Sequence, residues 1–152
     1  MKKFSHWLKR IIEMACIGWF SGCVYVTIEM LYRGYSHYSM FWLAFVVGII
    51  MASLNNWFTF DMPFELQVLI STAVATLAEF ITGSIVNQNF EIWDYSNLWG
   101  TFANGQCNLI FVGAWMLISI FSIPLLDYVE WRFFNYEKPY YVVFGKRIDL
   151  FK

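Results

Sequence analysis

Two acidic residues lie inside long apolar runs. Glu79 falls in Leu77-Ala78-Glu79-Phe80-Ile81, and Glu29 in Thr27-Ile28-Glu29-Met30-Leu31. An ionisable side chain at the centre of a bilayer costs about 2.5 to 3.5 kcal/mol on insertion scales, so a carboxyl in such a run is by default a binding or proton-handling group. Arg33 follows Glu29 by four residues, an acid-first pairing on one helical face, and His37 comes shortly after. Further on stand Trp93-Asp94-Tyr95-Ser96, then Gln106 and Asn108. The expected ligand-binding set is Glu29, Arg33, Glu79, Asp94, Tyr95, Ser96, Gln106 and Asn108, converging on an outward-facing polar pocket for a small solute or ion. A plainer reading stands beside it. Glu29 and Arg33 make an interfacial salt bridge, Glu79 is a neutral acid bonded to Asn108 or to a backbone carbonyl, and His37 is a solvated loop histidine.

Familiar catalytic patterns are missing. No GxxxxGK[ST], HExxH or GxSxG string occurs, nor any paired Cys/His ligand set. No catalytic residue, metal ligand or cofactor is therefore expected, and a lipid-modifying enzyme working through acidic residues is the weaker alternative. Cys16, Cys23 and Cys107 are isolated in or beside apolar stretches and read as buried thiols, not as a disulfide framework.

The elements that must carry these groups follow from composition. Of 152 residues, 59% are hydrophobic and 14% charged, well below the roughly one quarter charged of soluble domains. Water is not the solvent for most of this chain, and a net charge of −1 gives no reason to expect nucleic acid. A membrane helix needs about 20 mainly apolar residues. Four stretches qualify: 11–32, 38–58, 65–86 and 106–128, separated by Arg33-Gly34, Asp61-Met62-Pro63 and Asn87-Gln88-Asn89. Residues 129–152 remain as a cytoplasmic tail, with an interfacial helix over 129–136 ended by Pro139. The whole reads as a single membrane domain: an all-α, polytopic four-transmembrane-helix bundle.

Orientation follows from Lys and Arg. Lys2, Lys3, Lys9 and Arg10 precede the first span, Arg132, Lys138, Lys146, Arg147 and Lys152 follow the last, and only Arg33 lies between. By the positive-inside bias both termini are cytoplasmic, which agrees with an even number of spans. The loops around 33–37 and 87–105 then share the outer face. Phe20-Ser21-Gly22-Cys23 imitates a lipoprotein cleavage site, but Glu13 interrupts the leader and the apolar run continues past Cys23, so a retained helix is expected. Gly18 and Gly22, with Ala15, form one small-residue face, and Ser71, Ala75, Ala78 and Thr82 another. Both are expected to pack within the chain rather than between copies. Trp93, Tyr95 and Trp99 read as an aromatic anchor at headgroup level. Glu79 is expected to face inward and to bond Gln106, Asn108 or Tyr95, or to pair with Arg33.

Taken together, the string from Glu29 through Arg33-Gly34 and His37 to Met40, Phe60-Asp61-Met62-Pro63, Glu79-Phe80-Ile81-Thr82-Gly83, Ile92-Trp93-Asp94-Tyr95-Ser96-Asn97, Gly105-Gln106 and Glu137-Lys138-Pro139 resemble the CmpB-like family of ABC-transporter permeases. The chain departs from that pattern at Leu98-Trp99-Gly100 and at Ala44-Phe45, where the family has a proline with an asparagine and a glycine pair. The resemblance implies a small multi-pass protein of the bacterial cytoplasmic membrane, at times encoded near prophage genes. Its expected role is permease-like transport, as a homo-oligomer or with a partner membrane protein and a partner ATPase. The competing expectation is a membrane interaction protein that binds another envelope protein and moves nothing, in which the outer-loop tryptophans matter more than Glu79.

Overall fold

The computed structural model describes residues 2–151, with side chains from residue 7 onward; the Lys2 and Lys3 side chains and Lys152, counted in the charge bias, lie outside the described residues. The architecture is all-α with two small hairpins, and four helices are long and apolar enough to cross a membrane. The chain divides into two units, Met1–Ser53 and Leu54–Lys152.

In the first unit α1 (Lys2–Arg33) and α2 (Tyr38–Asn55) pack through glycine. A Cβ on Gly18 would stand 3.0 Å from both the Phe45 ring and the Ile49 side chain, and one on Gly22 would stand 2.6 Å from the Phe41 ring. Ser21 returns the contact by seating on Gly48, and Trp19 meets Phe41 edge-on at 5.1 Å. Lipid offers no hydrophobic drive for helix association, so this close approach supplies it through dispersion. The Gly18/Gly22 face is used within the chain, as the sequence suggests, although Ala15 lies off it and is exposed. Glu13 is buried against Arg10 at 3.1 Å.

In the second unit α3 (Phe64–Val86) and α4 (Leu109–Phe134) form the principal contact. The buried face of α3 is Gln67, Val68, Ser71, Thr72, Ala75, Glu79 and Gly83, spaced three or four apart, so small residues and one acid face α4. Leu69, Leu77 and Phe80 are exposed, the positions suited to lipid. Buried Thr72 and Ser119 donate to the carbonyls of Val68 and Trp115 four residues back, each at 2.8 Å, which satisfies hydroxyls that face no water.

Three expected boundaries are corrected. The second helix ends at Asn55, not 58, because the Asn55 and Asn56 amides turn to partners on α4. The fourth begins at Leu109, not 106, because Asn108 caps it, its side chain accepting from the Ile110 N–H at 2.8 Å. It also runs through Pro124 to Phe134, so the interfacial helix expected over 129–136 is not separate: its first turns continue α4. Asp127 and Glu130, charges inside this continuous helix, are buried and bonded, and the helix stops only where Asn135 takes φ 61°.

The tail is likewise not a plain basic extension. Strands β3 (Tyr141–Val143) and β4 (Lys146–Ile148) form an antiparallel hairpin, with Val143 opposite Lys146. Phe144 and Gly145 make the two-residue turn, both at positive φ, 47° and 74°. Tyr141 is 1% exposed and packs with Val68 and Ile123, so the hairpin closes the core at this end of the α3–α4 pair. A second hairpin, β1 (Thr101–Phe102) with β2 (Cys107–Asn108), closes the long loop between α3 and α4.

Candidate functional site

Glu79 is 6% exposed and faces α4, as its helix face requires. Its two oxygens have separate donors. The Tyr95 hydroxyl donates to Oε1 at 3.1 Å and the Trp115 indole N–H to Oε2 at 3.0 Å. Tyr95 is one of the partners expected from sequence. Trp115 is not, since an indole in an apolar helix gives no signal of its own until the helix facing it is known. Tyr95 is held by stacking on Phe111, rings 4.4 Å apart and 20° from parallel. Cys107, fully buried beside this site, has its thiol pushed up to about 11, first by burial and then by the Glu79 charge.

Gln106 and Asn108, also expected at the ligand, are occupied elsewhere. Asn87 is 1% exposed and organises the loop: its amide donates to the Trp93 carbonyl at 2.6 Å and to Gln106 Oε1 at 3.1 Å, while its oxygen accepts from the Ile92 N–H at 2.9 Å. Gln106 answers by donating to the Asn87 carbonyl at 3.0 Å. Trp93 is not a headgroup anchor. It is buried and its indole donates to the Gln106 carbonyl at 3.1 Å. Gly83 permits this, because a Cβ there would run into Gln106 and would lie 2.9 Å from the Trp93 ring. Asn108, besides capping α4, donates to the Trp99 carbonyl and to Thr101 Oγ1, each at 2.9 Å. Trp99 is 82% exposed, in keeping with an anchor or a contact surface.

Asp94 and Ser96 are exposed and form a local turn in which the Ser96 N–H donates to Asp94 Oδ1 at 2.8 Å. Hydrogen bonds from the Ser96 hydroxyl and N–H hold the Asp94 carboxyl below the usual carboxylate range. Of the expected set in the second unit, the fold thus brings Glu79 and Tyr95 together and assigns Gln106, Asn108, Asp94 and Ser96 to building the loop.

In the first unit Arg33 pairs with Glu29 at 2.5 Å, and the Ser36 hydroxyl donates to the other Glu29 oxygen. These bonds tie the end of α1 to the turn that follows. His37 caps α2, its Nδ1 accepting from the Ser39 N–H at 3.3 Å.

A second buried acid escaped sequence reading as a site. Asp127 on α4 accepts from the Asn55 amide and from the Tyr141 hydroxyl, each at 2.7 Å, and Glu130 accepts from the Asn56 amide at 3.0 Å. Burial, reinforced by the Asp127 charge, pushes the Tyr141 phenol well above its ordinary value. Nothing in the local sequence marks these acids as a site, because their partners are 14 to 74 residues away. Among the described residues, no three His, Cys, Asp or Glu side chains come together as a metal-ligand set. Comparison with protein-family models, with curated proteins and with solved structures finds no match to this chain.

Proposed function

We propose that this is a permease-like protein of the bacterial cytoplasmic membrane, of the CmpB-like kind its motifs resemble, and that it binds a small solute or ion at Glu79. One observation carries the reading: a buried carboxyl between two apolar helices has one donor from a helix, Trp115, and one from a loop, Tyr95. The loop phenol is the partner a ligand can replace while the indole keeps the carboxylate oriented. A carboxylate suits a cation or a solute carrying N–H donors. A chain of this size has little room for an alternating-access path alone, so the reading includes a homo-oligomer or a partner membrane protein, with a partner ATPase supplying any ATP hydrolysis.

The test is thermal unfolding of the purified protein against a panel of small inorganic and organic cations. At least one should raise the melting temperature of wild type and leave Glu79→Gln unmoved, since the amide keeps an acceptor and loses the charge. A stabilising cation that acts equally on both proteins would remove Glu79 from the site. Exposed Trp99, on a loop fixed by the Asn87–Gln106 bonds, favours the second reading, a docking module for another envelope protein. In that case Trp99→Ala should abolish co-purification of the partner and Glu79→Gln should not.

A further inference from the structure

The turn of the C-terminal hairpin combines an unfavourable conformation with an exposed aromatic side chain. A two-residue hairpin turn with positive φ at both positions favours Asn-Gly or Gly-Gly, because a bulky side chain is crowded there. This turn is Phe144-Gly145, with φ 47° at the phenylalanine. Burial does not compensate Phe144, which is 85% exposed, and a Cβ added at Gly145 would meet nothing within 4 Å. A residue that is poor for the turn and unpacked in the fold points to something outside the chain.

The position of the turn identifies that surrounding. The Phe144 N–H donates to Glu65 Oε1, in the first turn of α3, at 2.6 Å, and Val142 bridges to Pro63 just before that helix. Tyr141 bonds Asp127 near the end of α4. The hairpin is thus fastened where two apolar helices stop, the level at which hydrocarbon gives way to headgroups. Its chemistry fits that layer. Lys146 is exposed next to the turn, Arg147 lies 3.7 Å over the Tyr140 ring, and Lys138 lies 5.8 Å over Trp131. From 132 to 150 Arg132, Lys138, Lys146 and Arg147 stand against Glu137 and Asp149; Asp149 lies 3.6 Å from Arg147, and Asp61 and Glu65 reach the hairpin at the Tyr140 hydroxyl and the Phe144 N–H, so Lys146 is the exposed cation beside the tip. An aromatic tip beside lysine and arginine is the composition that enters an anionic interface.

We propose that the hairpin is a lipid-contacting foot: Phe144 inserts at the headgroup level of the leaflet on the basic side, and Lys146 with Arg147 binds anionic lipid phosphate there. The foot is independent of any solute site at Glu79.

The experiment uses the full chain in nanodiscs of phosphatidylcholine, with and without phosphatidylglycerol, comparing wild type with Phe144→Asn. Asparagine suits this turn, so in detergent the variant should melt at or above the wild-type temperature. In nanodiscs, hydrogen exchange at 142–147 should slow in wild type about fivefold when phosphatidylglycerol is added, what one lysine near an anionic surface is worth. Phe144→Asn should lose that slowing. Equal slowing in both proteins, or none in either, overturns the proposal. So does a variant that melts lower in detergent, which would make Phe144 part of the fold. Slowing that follows the number of chains per disc instead of the lipid would assign the turn to a second copy.

Discussion

Glu79 shows how much a single residue holds in a medium without water. Replacing it by leucine removes the acceptor that the Tyr95 hydroxyl and the Trp115 indole share. Each buried donor left without an acceptor costs about 1 to 3 kcal/mol. Glu79→Leu should therefore lower the unfolding temperature clearly, and Glu79→Gln, which retains an acceptor oxygen, much less. Thermal unfolding in one detergent checks both, and an unchanged Glu79→Leu would mean the carboxyl carries no structural load. Cys107 gives a pH-dependent counterpart. Its thiol value is raised from 9.0 to about 11, so the fold favours the neutral form. That contribution is whole below 9.0 and is lost as pH rises through about 11. At pH 8 the folded Cys107 thiol stays neutral and shielded, so iodoacetamide should leave Cys107 unmodified in the folded protein and alkylate it after denaturation, as peptide mass spectrometry can read. Rapid alkylation of the folded form would contradict its burial.

At the scale of elements, glycine and asparagine do what apolar pattern alone does not. A Gly22→Val side chain would enter the Phe41 ring, so it should force α1 from α2 and cost about 1 to 3 kcal/mol, measured by thermal unfolding. Wild-type stability in that variant would place the glycine face elsewhere. Asn87 is the corresponding point of the long loop, where one side chain serves the Trp93 carbonyl, Gln106 and the Ile92 N–H. The spans themselves were readable, because desolvating a helix requires a run of apolar residues and the run is written consecutively. Their ends were less so: Asn55, Asn108 and Asp127 set the boundaries through bonds to groups distant in sequence. The inward face of Glu79 was readable from the stripe Ser71, Ala75, Ala78 and Thr82, of which Ser71 and Ala75 are buried and Ala78 and Thr82 only half-buried, and Tyr95 from its neighbourhood. Trp115 and Asn87 were not, since an indole and a turn asparagine look the same whether buried or exposed. The C-terminal hairpin went unseen because its strands are three residues each and its turn lacks the usual Asn-Gly signal.

For the whole molecule the sharpest expectation is topological. With nine of ten basic residues in the two flanks, the positive-inside bias predicts both termini on the cytoplasmic side and Asp94 outside. In a cysteine-free background, an impermeant maleimide added to intact cells should label Asp94→Cys and neither Lys3→Cys nor Lys146→Cys. Labelling of either flank from outside would reverse the orientation. The bonds at the other end of α4 have a consequence in time. Asp127 is shared by Asn55, made 72 residues earlier, and Tyr141, made 14 residues later. As the chain leaves the ribosome Asn55 comes out before Asp127 and Tyr141 after it, so α4 reaches the membrane with an acid for which only one partner is at hand. The fourth helix can be inserted before the hairpin has left the ribosome, but its Asp127 end cannot be settled until Tyr141 arrives, so a segment beyond the helix completes a membrane span begun before it.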